Sequence, residues 1–387
     1  MNVKDYFWPF SYGILALLFS LYSYSQVDLN LTLGQHPTYL AWQKQLTSLG
    51  YYQRGWSTLI FIILSVLLFT IYHLLMARLR HWTDQDERKK MTYGSLIVAL
   101  IFLLAYPAFS HDIFNYLFNA KMVWVYHANP HIEAAASFPN DTWIRFMHNV
   151  HTPVPYGYGW TLLSLIPGMA TLSGNFKFSL WMMKLFIGLF WLGQLLVLNK
   201  IIKEHFPKES WRWFLFALNP LVLIETLAVG HNDVVMMCLV LLSLWFLLKT
   251  KKLMSKEFIF SLIFLIASVL IKYATIVLLP LWLIKLRFKK FDLGMWGGIV
   301  LLAAMFTRPD QLHSWYLIWA FSLAVLAENK WVITFFTAAT LGALLRYAPY
   351  VYYGSWDPPV YLLRNLIWAL SLGFTPLIYL TFLRGKN

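Results

Sequence analysis

The sequence predicts an all-α polytopic membrane protein with about 12 transmembrane helices. Its 387 residues are 59% hydrophobic and only 12% charged, and the mean hydropathy is +0.58. Soluble domains carry about a quarter charged residues, so this composition excludes a soluble fold. Apolar runs close to the roughly 20 residues that a bilayer crossing needs recur along the chain, separated by short polar breaks.

The predicted spans follow these apolar runs. The first run could be a secretory signal peptide, because Ser23 and Ser25 form a small-x-small pattern. Its start is only weakly basic, with Lys4 beside Asp5, and this favours an uncleaved anchor. The spans are predicted at 9–25, 57–77, 92–109, 178–199, 212–229, 232–249, 258–272, 274–288, 293–307, 314–328, 331–347 and 361–382.

Basic residues in the loops set the orientation. The five between 78 and 90 place the loop after the second span in the cytoplasm, so the loop at 110–177 is predicted outside. Within it, 158–173 is predicted to be a helix at the outer interface, because a crossing there would place the basic residues between 200 and 212 outside. The chain is then one membrane domain, 1–387, with both termini cytoplasmic and 110–177 as an outer catalytic loop with interfacial helices.

Several function classes are excluded. The net charge of +14 resides mostly in short loops, which indicates membrane insertion rather than nucleic-acid binding. The single Cys238 gives no disulfide framework, and no nucleotide-cradling or zinc-protease motif occurs. Five histidines in the outer loop offer metal ligands, but Pro130 between His127 and His131 argues against one helix face. The sequence therefore predicts no cofactor, with a metal site at the loop histidines as the less favoured alternative.

Polar residues gather at the predicted outer face. Asp112 is the first acid after the third span, at the water–lipid boundary, and His111 and Lys121 lie in the same loop. A charge inside a membrane helix costs about 2.5–3.5 kcal/mol, so such residues usually face a cavity. Four further groups fall at outer turns: Glu225 with His231-Asn232-Asp233; Lys272; Arg308, Asp310, His313, Trp315 and Tyr316; and Arg346.

Each group also has a structural interpretation. Asn232 and Asp233 can cap the next helix, and Lys272 can extend along the interface as a snorkelling side chain. Arg308 and Asp310 can form a structural ion pair. Since all the groups converge on the side of Asp112, we predict an outward-facing site with an acid, cations and aromatic rings, which suits an anionic lipid and a sugar.

Several motifs resemble a known family in their order along the chain. HDIFNYLFNAKMVWVYHANP resembles the first outer loop of GT-C glycosyltransferases, in particular the bacterial polyprenyl-phosphate-mannose-dependent α-(1→6)-mannosyltransferases. VPYGYGWTLL, NPLVLIETLAVGHNDVVM, SVLIKYATIVLLPL and HSWYLIW follow in the family's order, and the similarity covers roughly 90–370. Two departures are His111, where the family often has Arg or Ser, and Tyr158, where Pro is usual.

The resemblance implies a GT-C fold and transfer of a hexose, mannose first of all, from a polyprenyl phosphate to a glycolipid or glycan acceptor on the outer face. It implies that Asp112 acts as the general base and that cations at the outer face hold the donor phosphate. We assign substrate binding to His111, Lys121, Tyr156, His231, Asn232, Asp233, Lys272, Arg308, His313, Trp315, Tyr316 and Arg346.

Two alternatives belong to other classes. A transporter or flippase of a lipid-linked sugar would bind the same lipid, but transporters tend to have paired repeats and midplane sites, which this sequence lacks. A non-catalytic scaffold of envelope assembly would keep the fold without the reaction. The expected partners are therefore the donor lipid, a glycan acceptor and membrane lipids, without nucleic acid.

Overall fold

The computed structural model describes residues 3–81, 85–307 and 312–383. The chain is 77% helical, and no strand occurs in these described ranges, so the predicted all-α class is confirmed. The helices are α1 Val3–Ser23, α2 Pro37–Thr47, α3 Arg54–Leu79, α4 Gln85–Leu104, α5 Asp112–Trp124, α6 Tyr158–Gly168, α7 Phe176–His205, α8 Trp211–Ala217, α9 Pro220–Leu223, α10 Asp233–Lys249, α11 Lys256–Ile271, α12 Leu279–Arg287, α13 Leu293–Met305, α14 Leu317–Ala324, α15 Lys330–Leu345, α16 Tyr347–Tyr353, α17 Val360–Ser371 and α18 Thr375–Ile378.

The longest helix, α7, shows why the apolar runs end where they do. Asn175 precedes it, and its side-chain oxygen accepts a hydrogen bond from the backbone N–H of Phe178 at 3.1 Å. Such a cap satisfies one of the free N–H groups of the first turn. Lys203 and His205 lie in the last turn, where positive charge complements the helix dipole. Polar residues therefore mark both ends of the apolar part of the helix.

Fewer helices qualify as membrane spans than the sequence predicts. Within the described residues, four are long and apolar enough by length and composition: Arg54–Leu79, Phe176–His205, Lys330–Tyr353 and Val360–Thr381. A fifth results if α8 and the following Pro220–Val229, bent by 47°, count as one broken span. Others are shorter, since α10 has 17 residues and α11 has 16. The structure thus supports a membrane protein with several apolar helices, and the count of about 12 is not confirmed.

The centre of the molecule is the stretch that joins α8 to α10. Every residue from 214 to 238 is buried. A π-helical segment, Ile224–Val229, follows α9 and ends at Gly230, whose φ of 86° lies in the left-handed region that glycine tolerates best. α10 then packs against α7, α11 and α14. This turn carries Glu225, His231, Asn232 and Asp233 into the interior, where polar groups need partners.

The loop at 110–177, which the sequence predicts to lie outside, is largely helical. α5 packs against α6 and α7, and the predicted helix at 158–173 is present as α6 followed by a 3-10 segment at Met169–Ser173. The chain enters α6 by a close contact with the end of α11, because a Cβ on Gly157 would lie 2.0 Å from the carbonyl oxygen of Leu270. The backbone N–H of Gly157 donates to the carbonyl of Ile271 at 3.0 Å.

Candidate active site

A cavity of about 990 Å³ brings together residues that are far apart in the sequence. Its wall comes from the start of α5, the loop before α6, the segment after α11, the end of α13, the segment that leads into α14, and helices α16 and α17. Seven of the predicted site residues line it: His111, Asp112, Tyr156, Lys272, His313, Trp315 and Tyr316.

Asp112 occupies the first turn of α5. Its backbone N–H donates to the side chain of Ser110 at 3.2 Å, and a carboxylate at a helix N-terminus is stabilised by the helix dipole. The side chain is 18% exposed, so the carboxylate is held by the protein and still opens into the cavity. A reactive group needs this combination of fixed position and access.

His231 connects Asp112 to a second acid. Its Nδ1 lies 3.5 Å from Oδ2 of Asp112, and its Nε2 lies 3.3 Å from Oε2 of Glu225. The other oxygen of Glu225 accepts a hydrogen bond from the hydroxyl of Tyr347 at 2.9 Å. The left-handed turn at Gly230 places the imidazole there. The result is a buried chain of polar groups that begins at Asp112 and ends at Tyr347.

The two partners shift each other's protonation. Burial raises the pKa of Asp112, but contact with His231 and the charges of His231 and Lys272 outweigh burial and lower that pKa to about 2. Burial lowers the pKa of His231, but Asp112 and Glu225 outweigh it and raise that pKa to about 9. At neutral pH the pair is therefore a carboxylate facing an imidazolium.

Lys272 supplies positive charge to the cavity wall. Its Nζ lies 2.8 Å from both carboxylate oxygens of Asp233, which is fully buried and also accepts a hydrogen bond from the indole N–H of Trp319. The ammonium lies 5.5 Å from the ring centre of Tyr156 and 5.6 Å from that of Tyr316. Lys272 thus faces the cavity among aromatic rings, with its charge balanced from behind by Asp233.

Aromatic rings form a layered surface beside these charges. Trp315 lies between two imidazoles, stacked 4.0 Å from His231 and 4.3 Å from His313. Burial lowers the pKa of His313 to about 4, so its ring is neutral at neutral pH. Burial and the charge of Asp112 raise the pKa of Tyr156, which remains a neutral hydroxyl. The neutral rings of Tyr156, His313 and Trp315, which line the cavity, suit the apolar face of a sugar or an isoprenoid.

His111, the residue before Asp112, also lines the cavity. Its ring stacks on that of His148, with the centroids 3.8 Å apart. Burial and the neighbouring His148 lower the pKa of His111 to about 3, so this imidazole is neutral at neutral pH.

The structure places the other predicted residues differently. Lys121 pairs with Asp141 and lies over the ring of Trp143, away from the cavity. Arg346 donates to the carbonyl of Leu312 at 2.6 Å, behind the cavity wall. Asn232 is buried, and its backbone N–H donates to the hydroxyl of Tyr116 at 3.5 Å. Arg308 and Asp310 lie outside the described residues.

Part of the cavity wall was not predicted from the sequence. Arg364 lies within a run interpreted as the last span, yet its guanidinium lines the cavity 4.8 Å from the ring centre of Tyr361 and 5.7 Å from that of Trp356. A charge inside an apolar run is itself a signal of a functional position. Asn115, one turn beyond His111 on α5, also lines the cavity. Glu225 belongs to the polar groups predicted at outer turns, but it is not among the residues assigned to substrate binding.

Known proteins provide one comparison that identifies the chain. No match was found among curated proteins or among solved structures. The family model described as alpha-(1->6)-mannopyranosyltransferase, N-terminal domain, of the MptA_B family matches residues 28–286, which include Asp112, His231 and Lys272. The predicted resemblance to mannosyltransferases is thereby confirmed. The chain belongs to the MptA_B family of α-(1→6)-mannopyranosyltransferases and is a glycosyltransferase.

Proposed function

We propose that the protein transfers mannose from a polyprenyl-phosphate donor to a hydroxyl of a glycolipid or glycan on the outer face of the cell membrane. The observation that carries this proposal is the cavity lined together by Asp112, Lys272 and several aromatic rings. A carboxylate, a cation and stacking surfaces are what a glycosyl transfer from a phosphate requires.

Asp112 is the proposed general base. The acceptor oxygen forms a bond to the anomeric carbon while the bond from that carbon to the phosphate oxygen breaks, and the proton of the acceptor hydroxyl passes to the carboxylate of Asp112. One base is enough for a single inverting displacement, because a phosphate monoester leaves without a proton. The imidazolium of His231 keeps Asp112 ionised in the resting enzyme and holds its orientation.

The leaving phosphate is proposed to lie near Lys272 and Arg364. Both side chains line the cavity, and charge-assisted hydrogen bonds from ammonium and guanidinium groups stabilise the charge that develops on the phosphate. The prenyl chain is proposed to enter past Tyr273 and Tyr361, which line the cavity and are 64% and 37% exposed on its rim. These rings join the cavity to the outer surface of the helices.

The predicted topology remains part of the proposal, with about 12 spans in a GT-C arrangement, the loop at 110–177 outside and both termini in the cytoplasm. Cysteine labelling tests it. In a Cys238→Ala background, Phe206→Cys is expected to resist an impermeant thiol reagent in intact cells. Labelling of that cysteine from outside would refute the topology and the interfacial position of α6.

The donor is tested with purified protein and acceptor. The protein is supplied with either polyprenyl-phosphate-mannose or GDP-mannose, without other enzymes, and the mannosylated product is measured. We expect product from the lipid donor alone. Product from the nucleotide donor alone would overturn the proposed donor and the outward-facing mechanism.

A further inference from the structure

We propose that Asp28, His111 and His148 form a binding site for one divalent transition-metal ion of the zinc class at the edge of the cavity. Each residue offers one ligand atom, and the three atoms lie within 4.8 Å of one another. They come from the loop after α1, from the residue preceding α5 and from the loop preceding α6. The inference goes beyond the proposed function and does not depend on the identity of the donor or acceptor.

The chemistry of the three side chains selects the class of ion. Two imidazoles and one carboxylate are ligands that zinc and its neighbours accept, whereas magnesium and calcium prefer oxygen alone. Ligands about 2.0–2.1 Å from a tetrahedral zinc are about 3.4 Å apart. Oδ2 of Asp28 lies 3.8 Å from Nε2 of His111, so these two groups need to approach by only a few tenths of an ångström.

The two inner ligands are already oriented towards each other. Oδ1 of Asp28 accepts a hydrogen bond from the backbone N–H of Asn30 at 2.8 Å, and this fixes the carboxylate with Oδ2 facing His111. Nε2 of His111 is buried and has no hydrogen-bond partner among the described residues, since 3.8 Å is too long for one. A cation between an imidazole nitrogen and a carboxylate satisfies both groups.

The third ligand lies on a loop of unusual backbone. His148 is exposed, and its ring stacks on that of His111 at an interplanar angle of 24°. The next residue, Asn149, has a φ of 57°, a left-handed conformation that costs free energy even for asparagine. His148, Asn149 and Thr152 all line the cavity. An ion held here would fasten this loop to the start of α5 and fix one wall of the cavity.

Metal binding by the untagged, full-length protein tests the proposal. After treatment with a chelator and its removal, the protein is titrated with Zn²⁺ in detergent, without donor or acceptor, and bound metal is measured by elemental analysis. We expect about one tightly bound Zn²⁺ per chain. Asp28→Asn and His148→Ala are each expected to weaken binding at least about tenfold. Co²⁺ gives a second readout, because its visible absorption reports nitrogen and oxygen coordination.

The matched control is His151→Ala, which removes an exposed histidine from the same loop outside the proposed ligand set. It is expected to bind Zn²⁺ and Co²⁺ as the wild type does. A wild type that binds no Zn²⁺, or Asp28→Asn and His148→Ala variants that bind it unchanged, would overturn the proposal. Since no substrate is present, neither result bears on which donor the enzyme uses.

Discussion

Replacing Lys272 by methionine is expected to destabilise the protein through Asp233. The carboxylate of Asp233 is fully buried and has Lys272 Nζ 2.8 Å from each of its oxygens, with the indole of Trp319 as its further partner. Removing one member of a buried ion pair leaves the other charge uncompensated and costs about 3–5 kcal/mol. Lys272→Met is therefore expected to melt several degrees below the wild type.

The chain carries its own reporter for this measurement. Cys238 is the single cysteine and is buried, so a fluorogenic thiol reagent reports the temperature at which the interior opens. The double variant Lys272→Met/Asp233→Asn removes both charges and is expected to recover most of the lost stability. A Lys272→Met variant that melts with the wild type would refute the reasoning, because Asp233 would then have no need of the ammonium.

The same pair of variants separates two roles of Lys272. If the ammonium binds the donor phosphate, the double variant stays impaired in mannose transfer although its stability has returned. If the ammonium serves Asp233 alone, transfer returns with stability. The expected outcome is the first, measured as initial rates with polyprenyl-phosphate-mannose at equal amounts of folded protein. Recovery of transfer by the double variant would remove Lys272 from the proposed phosphate site.

Three further predictions concern the cavity. Asp112→Asn is expected to lower the transfer rate by about 10²–10⁴-fold while the protein stays folded and inserted in the membrane, and retention of most activity would move the base elsewhere. His231→Gln removes the contact that lowers the pKa of Asp112, so the effect of burial is expected to raise that pKa from about 2. The acidic limb of the pH–rate profile is then expected to move to higher pH. An unmoved limb would contradict the pairing of Asp112 with His231. Arg364→Gln is expected to raise the KM for the lipid donor about tenfold, a loss of about 1.4 kcal/mol, while an unchanged KM would exclude contact with the phosphate.

Hydropathy predicts where this chain is helical better than it predicts how the helices cross the membrane. The run at 212–229 has the composition of one span, yet it folds as α8, α9 and a π-helical segment with a bend of 47°. Its breaks follow from Asn219-Pro220, because proline disfavours a helical conformation in the residue before it, and the asparagine side chain caps the next helix. An average over a window of apolar residues does not contain that local chemistry.

Much of the cavity wall could be predicted, because polar residues at turns between apolar runs need partners. Asp112, Lys272 and His313 were found in this way, and all three line the cavity. Arg364 was missed because its neighbours are apolar and the run was interpreted as a span. Lys121 belongs to the same predicted loop as Asp112, but its position on α5 brings its side chain into an ion pair with Asp141. Which residues of one loop face the same cavity depends on tertiary packing, and spacing along the sequence does not determine it.

The contact between Gly157 and the end of α11 holds two parts of the cavity wall directly against each other. The backbone that follows Tyr156 packs directly against Leu270. The backbone N–H of Gly157 donates a hydrogen bond to the carbonyl of Ile271, the residue before Lys272. A methyl group at position 157 would push these segments apart without touching any reactive group. The resulting loss of binding would resemble the loss of a substrate-binding residue. Recovery would require the backbone at position 157 to lie close to Leu270 again, and no change of functional group would achieve it.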